Sequence, residues 1–377
     1  MSTPHRKLDH IRIVLDSPVG HKGGTLLGEV ELLHRSLPEL SLDAVDTGVR
    51  FLGRRLSAPI MVAGMTGGHA VAGKINCAIA EAVSSLGLAM GVGSQRAAIE
   101  HPELAYTFSI VRKCGGDEIP VVANIGAPQL VKGYGPKEAR KAVEMISADA
   151  IAVHLNAAQE AFQPEGDTDY RGVLDAVAGL QEELDVPVIV KETGHGMSYD
   201  DVYALRSRGI RFFDVSGAGG TSWIMVEHYR ALESGDEKLA AAALTMRNWG
   251  VPTAQAIVEA RWAAPDACII ASGGIRTGLD AAKAIALGAD MAALALPVVK
   301  AYAEGGAKAI EKLLETVIYE LKAAMFLSGS PNLAALRMAP LIVSPALERR
   351  LHSRGIGLGL YLRAGRSLYL PGTRCNL

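Results

Sequence analysis

Four side chains within seven residues carry the densest potential chemistry in the sequence: His154, Asn156, Gln159 and Glu160. They stand behind an apolar run at 150–153 that reads as a buried parallel strand. A strand that ends in an imidazole, two amides and a carboxylate has left the core and entered a polar site. The amides and imidazole suit acceptor oxygens, and a lone carboxylate suits a hard cation that keeps waters or phosphate oxygens as its other ligands. The pattern points to a ligand carrying a metal and several oxygens.

Other candidates share this position at strand ends. Lys191 closes an apolar run at 187–190, where a cation needs an anionic partner, and a flavin ring is a natural one. Ser272, Gly273, Gly274 and Arg276 precede a helical pattern, so close backbone approach and a helix N-terminus predict a phosphate site. Ala295 and Leu296 follow the next apolar run and offer a second one. Met65 and Thr66, Ser94 and Arg96, and Asn124 follow three earlier runs. Arg96 is suited to hold an anionic oxygen in a fork. His195 is a candidate for lining the mouth, and His69 and His228 for structural or solvated positions.

The elements that must position these groups alternate regularly. Strand candidates fall at 59–63, 88–92, 121–124, 150–154, 187–191, 212–216, 268–272 and 291–295. Amphipathic helical patterns fall between them, at 70–86, 136–146, 170–184, 198–208, 252–262 and 279–287. Eight strand–helix units with polar residues at nearly every strand end predict an α/β fold, a closed (β/α)8 TIM barrel whose mouth gathers those residues. The division expected is an N-terminal extension at 1–58, a barrel at 59–327 with a mouth-side insertion at 217–251 after the sixth strand, and a C-terminal tail at 328–377. The segment 360–377 has weak periodicity and reads as partly disordered.

Composition bounds the class. The chain has 377 residues, 49% hydrophobic, with a formal net charge of -2, so no global field favours nucleic acid or a membrane surface. No run approaches the roughly 20 apolar residues of a membrane span. The four cysteines, Cys77, Cys114, Cys268 and Cys375, form no CxxC pair and read as reduced thiols of a cytoplasmic protein.

Taken together the motifs resemble the flavin-dependent, type 2 isopentenyl diphosphate isomerases. The resemblance runs from about residue 6 to 324. It rests on Arg6-Lys7, Ala63 to Gly68, Gly93 to Arg96, Asn124, His154-Leu-Asn156 with Gln159-Glu160, Gln163 to Asp167, Lys191-Glu192, Ser216 to Trp223, Glu227 and Ser272 to Gly278. It implies a redox-neutral isomerase that interconverts isopentenyl and dimethylallyl diphosphate, with reduced FMN, Mg2+, and NAD(P)H as reductant. It implies FMN contacts at Ala63, Met65, Thr66, Ser94, Asn124, Lys191, Ser216, Thr221, Gly274, Arg276, Ala295 and Leu296. Substrate would meet Arg6, Lys7, Arg96, His154, Asn156, Gln159 and Ser222, with Mg2+ on Glu160 and catalysis by Gln159, Glu227 and His154. It also implies a homotetramer or larger. Ala157-Ala158 departs from the bulkier residues expected there, and 364–377 has no family counterpart. A rival reading, oxidation of 2-hydroxy acids on a related flavin barrel, needs a histidine and an arginine just after the sixth strand. Residues 217–223 supply neither.

Overall fold

In the computed structural model, eight parallel strands close into a barrel in chain order. The structure describes residues 3–365 and Cys375, without the side chains of residues 3–6, 8, 364 and 365. The strands are β1 (Ile60–Val62), β2 (Ala89–Gly91), β3 (Val121–Gly126), β4 (Ala150–Leu155), β5 (Val188–Glu192), β6 (Phe212–Asp214), β7 (Cys268–Ala271) and β8 (Met291–Leu294). Each predicted strand is present, and β8 pairs with β1 to close the ring.

The two-residue period of each strand sorts its side chains. Ile151, Val153, Val188, Val190 and Phe213 point outward into the core beneath the helices. Ala150, Ala152, Ile189, Phe212, Ile270 and Ala293 fill the barrel interior. Continuing the alternation one step past these interior residues makes Asn124, His154, Lys191, Asp214, Ser272 and Ala295 the next inward positions, at the C-terminal mouth.

The outer helices that matter here are α1 (Thr3–Asp16), α2 (Ala70–Ser85), α3 (Tyr106–Gly115), α4 (Pro136–Met145), α5 (Val173–Glu183), α6 (Tyr199–Ser207), α7 (Trp223–Ser234), α8 (Glu237–Thr245), α9 (Thr253–Ala263), α10 (Gly278–Leu287) and α11 (Leu296–Leu327). The insertion after β6 is the helical pair α7–α8. The sequence pattern after Gly305 predicts a helix over 307–327; helix α11 instead begins at Leu296 and breaks at Gly305–Gly306, where Gly306 has φ 63°.

The two ends of the chain are knitted together. Strand Val30–Leu32 pairs antiparallel with Leu341–Val343. A hairpin, Val49–Phe51 and Arg54–Leu56, packs Phe51, Leu52 and Leu56 into the interior cluster and stoppers the barrel floor. Its turn residues Leu52 and Gly53 both have positive φ, the twist a tight two-residue hairpin requires.

The cysteines correct the sequence reading. Cys77 is bonded to Cys114, joining α2 to α3, and Cys268 to Cys375, joining β7 to the C-terminal segment. Among the described residues none is free. Separations of 37 and 107 residues hide such pairs from any motif search, and the thiol argument for a reducing compartment falls with them. Among the described residues no helix is long and apolar enough to cross a membrane. Most of 364–377 lies outside the described residues.

Candidate active site

A cavity of about 270 Å³ opens at the barrel mouth. It is walled by the ends of β1 to β5, the loops after β6 and β7, the start of α11, and α1 across the top. Helix α1 presents Lys7, His10, Ile11 and Val14, a single face at helical spacing.

On the β4 side, His154 Nδ1 lies 2.8 Å from Asn124 Oδ1. Burial, with Lys191 and Lys7 nearby, pushes the His154 imidazole down to about 4, so it is neutral at pH 7. One turn onward, Glu160 accepts from Asn156 Nδ2 at 2.6 Å and from the Asp167 backbone N–H at 2.6 Å. Gln163 Nε2 adds a longer contact at 3.3 Å. These donors fix the carboxylate at the cavity wall. Arg96 sits beside it, donating to Glu100 at 2.8 Å and to Asp167 at 3.5 Å.

Behind the wall lies Glu227, fully buried on α7. Gln159 Nε2 donates to its Oε1 at 3.0 Å, His10 Nε2 meets the same oxygen at 3.1 Å, and Arg230 holds Oε2 at 2.6 Å. Burial alone would raise this carboxyl, but His10, Arg230 and Gln159 outweigh it and hold it below the usual carboxylate range. His10 also meets Trp223 edge to face, with ring centroids 5.2 Å apart.

The floor and far wall are built from loops. Lys191 Nζ donates to Asp214 Oδ2 at 2.6 Å. Gly273 and Gly274, at φ 73° and 87°, press against the loop after β6; a Cβ on Gly274 would come within 2.5 Å of Thr25 and 2.7 Å of the Gly219 backbone. Thr66 Oγ1 is buried at the cavity edge with no hydrogen-bond partner among the described residues.

The helix terminus expected to grip phosphate after β7 is already occupied. Thr277 and Asp280 form a reciprocal cap on α10, and Gly278 N–H donates to Glu320. The start of α11 is different: Ala295 gives no side-chain cap, and Ala295, Leu296 and Pro297 face the cavity. The anion-favouring end of a helix is thus offered after β8, whereas after β7 it is the diglycine backbone and Arg276 that face inward.

Comparison with known proteins decides among flavin barrels. The FMN-dependent dehydrogenase family matches residues 122–343. An isopentenyl-diphosphate delta-isomerase of Ignicoccus hospitalis is 53% identical over 94% of this chain and 98% of its own length. One from Metallosphaera sedula is 50% identical over 96% and 98%. The chain belongs to the isopentenyl-diphosphate delta-isomerase family. It is an enzyme of that family, as the sequence motifs implied. A mandelate oxidase structure superposes with a TM-score of 0.63 at 20% identity, over 89% of this chain and 95% of that one, which is a likeness of fold.

Within this isomerase-family barrel, most residues singled out from sequence converge on the one cavity. Lys7, Ala63, Met65, Thr66, Ser94, Arg96, Asn124, His154, Asn156, Gln159, Glu160 and Lys191 all line it. So do Ser216, Thr221, Gly274, Arg276, Ala295 and Leu296. The side chain of Arg6 lies outside the described residues. Two others stand back from it. Ser222 is buried and caps α7 at Met225 N, and Glu227 reaches the cavity only through Gln159 and His10. His195 is buried beneath the Gly194 loop, His69 caps α2, and His228 binds the Ala240 carbonyl. Sequence reasoning missed His10, although its place three residues after Lys7 on one helix face was a usable signal. It also missed Asp214, hidden inside an apolar run.

Proposed function

We propose that this protein interconverts isopentenyl diphosphate and dimethylallyl diphosphate, with reduced FMN as resident cofactor, Mg2+ on the substrate diphosphate and NAD(P)H as reductant. The charge pattern of the cavity carries the reading. Lys7, Arg96, Lys191 and Arg276 line it, and Glu160 is the one carboxylate among the described lining residues. Four cations suit two phosphorylated partners. A single carboxylate suits one Mg2+ shared with phosphate oxygens and water.

The residues fit both groups. The unpartnered Thr66 hydroxyl, the tightly packed Gly273–Gly274 backbone and the open start of α11 favour FMN between the β1 loop and the β7–β8 side. Asn124, Lys191, Ser216 and Arg276 would hold its polar edges. Reduced FMN supplies an electron-rich ring and a protonatable nitrogen beside an unactivated alkene, which ordinary side chains do not protonate.

The chain's own residues do the rest. Glu160 would hold the metal, and Lys7, Arg96 and Asn156 the remaining diphosphate oxygens, joined by His154 in the protonated form that the diphosphate's own charge would favour. Anchoring this nonreacting end uses binding energy to position the alkene. Gln159 is oriented at both ends, by Glu227 on its nitrogen and by Asn156, 3.4 Å from its oxygen. Glu227 keeps the proton of His10 Nε2 within exchange distance of a carboxylate that is itself screened from water. It therefore assists proton transfer from behind the wall. The apolar faces of Ile11, Val14 and Trp223 exclude water from the reacting end.

Anaerobic assay of isopentenyl diphosphate with Mg2+ tests the reading. The purified protein should carry a yellow chromophore, be inactive with oxidised flavin and be switched on by dithionite. Activity with fully oxidised flavin, or turnover of lactate or glycolate in its place, would overturn it.

A further inference from the structure

We infer that Asp214 is a positioning residue that sets the redox balance of the bound flavin through Lys191. The inference rests on the FMN reading above.

Asp214 ends β6 and is 3% exposed, with its register partner Lys191 on β5. Its Oδ2 accepts from Lys191 Nζ at 2.6 Å. Its Oδ1 accepts from Ser272 Oγ at 2.5 Å and from the Ser216 backbone N–H at 3.3 Å. Lys191, Ser216 and Ser272 all face the main cavity, whereas Asp214 lines only a small void beneath it. One buried carboxylate thus ties together three groups that come from three successive strand ends and face the ligand.

The arrangement has a chemical consequence. A cation beside a flavin ring stabilises the negative charge of the reduced form. Here that cation is already paired with a carboxylate in a site that water hardly reaches, so its field on the ring is reduced and its direction fixed. Bidentate use of Asp214, with one oxygen on the lysine and the other on Ser272, leaves Lys191 little freedom to swing toward or away from the ring. Asp214 therefore tempers the preference for reduced over oxidised FMN and holds that preference constant.

The test is a double-mutant cycle read on flavin binding, not on turnover. Dissociation constants for oxidised and reduced FMN are measured for the holoenzyme, Asp214→Asn, Lys191→Met and the double variant. Asp214→Asn should move the ratio of the two constants about tenfold toward the reduced form, equivalent to about 30 mV for the two-electron couple. In the Lys191→Met background the same change should have little effect. An equal shift in both backgrounds, or none in either, overturns the inference while leaving the FMN reading intact. A wild-type protein that binds no flavin overturns both. Should the Asn variant not fold, Asp214→Glu keeps the charge but displaces it by one methylene, and it too must move the ratio only when Lys191 is present.

Discussion

Glu160, the proposed Mg2+ ligand, is a carboxylate oriented by its immediate neighbours. Asn156 and the Asp167 backbone orient the carboxylate at 2.6 Å each, with its negative charge at the cavity wall. Glu160→Gln keeps the shape and removes that charge. Turnover should fall by about 100-fold or more and lose its Mg2+ dependence, while the flavin spectrum and stoichiometry stay unchanged. Loss of FMN in this variant would assign Glu160 a structural role instead. At this scale the sequence was readable wherever a polar residue broke an apolar run at its end, as His154 and Lys191 do. Asp214 escaped because Val215 follows it, so the run appeared to continue past it. Ser222 and Glu227 were recognisable as types in a motif, but nothing linear tells that one caps a helix and the other stands behind Gln159.

At the scale of elements, alternation of apolar runs and amphipathic patterns made the barrel legible, since strand parity and helix period are local properties of the chain. Beyond Arg6 and Lys7, which the resemblance placed at the substrate, helix α1 was not legible as a wall of the site. Its role comes from a long-range contact between the first residues and the mouth. The loop joining it to the barrel holds His21, whose Nε2 lies 2.9 Å from the Gly194 carbonyl and whose ring meets His195 edge to face. Burial, reinforced by His195, pushes His21 down to about 4, and burial lowers His195 as well. The folded state therefore binds fewer protons than the unfolded chain between the ordinary histidine value and about pH 4. Stability should be full above pH 6.5, decline as the pH falls through that window and level off below about pH 4. For His21 the whole window is worth ~3 kcal/mol. Urea midpoints measured between pH 7 and 4 should show the decline, and His21→Gln should make it shallower, leaving the share of His154 and His195. A wild-type curve that is flat across this range would contradict the assignment.

For the molecule as a whole, the two disulfides close loops of 37 and 107 residues. In the chain-entropy limit they stabilise by about 4 and about 5 kcal/mol, as upper values. Cys375→Ser should lower the melting temperature by several degrees and leave isomerisation at moderate temperature unchanged, because Cys268 and Cys375 lie at the barrel floor, far from the mouth. Reduction with dithiothreitol should lower it further, since both bridges are then lost. An unchanged melting temperature in Cys375→Ser would show that the tail is not held covalently. The way α1 and α11 meet over one cavity also matters for biosynthesis. Lys7 and His10 leave the ribosome long before Ala295 and Leu296, which finish the cavity they roof. The first helix must therefore wait, with its apolar face uncovered, while nearly three hundred further residues are made. No flavin or substrate can be held between its two walls until the last barrel strand has been synthesised.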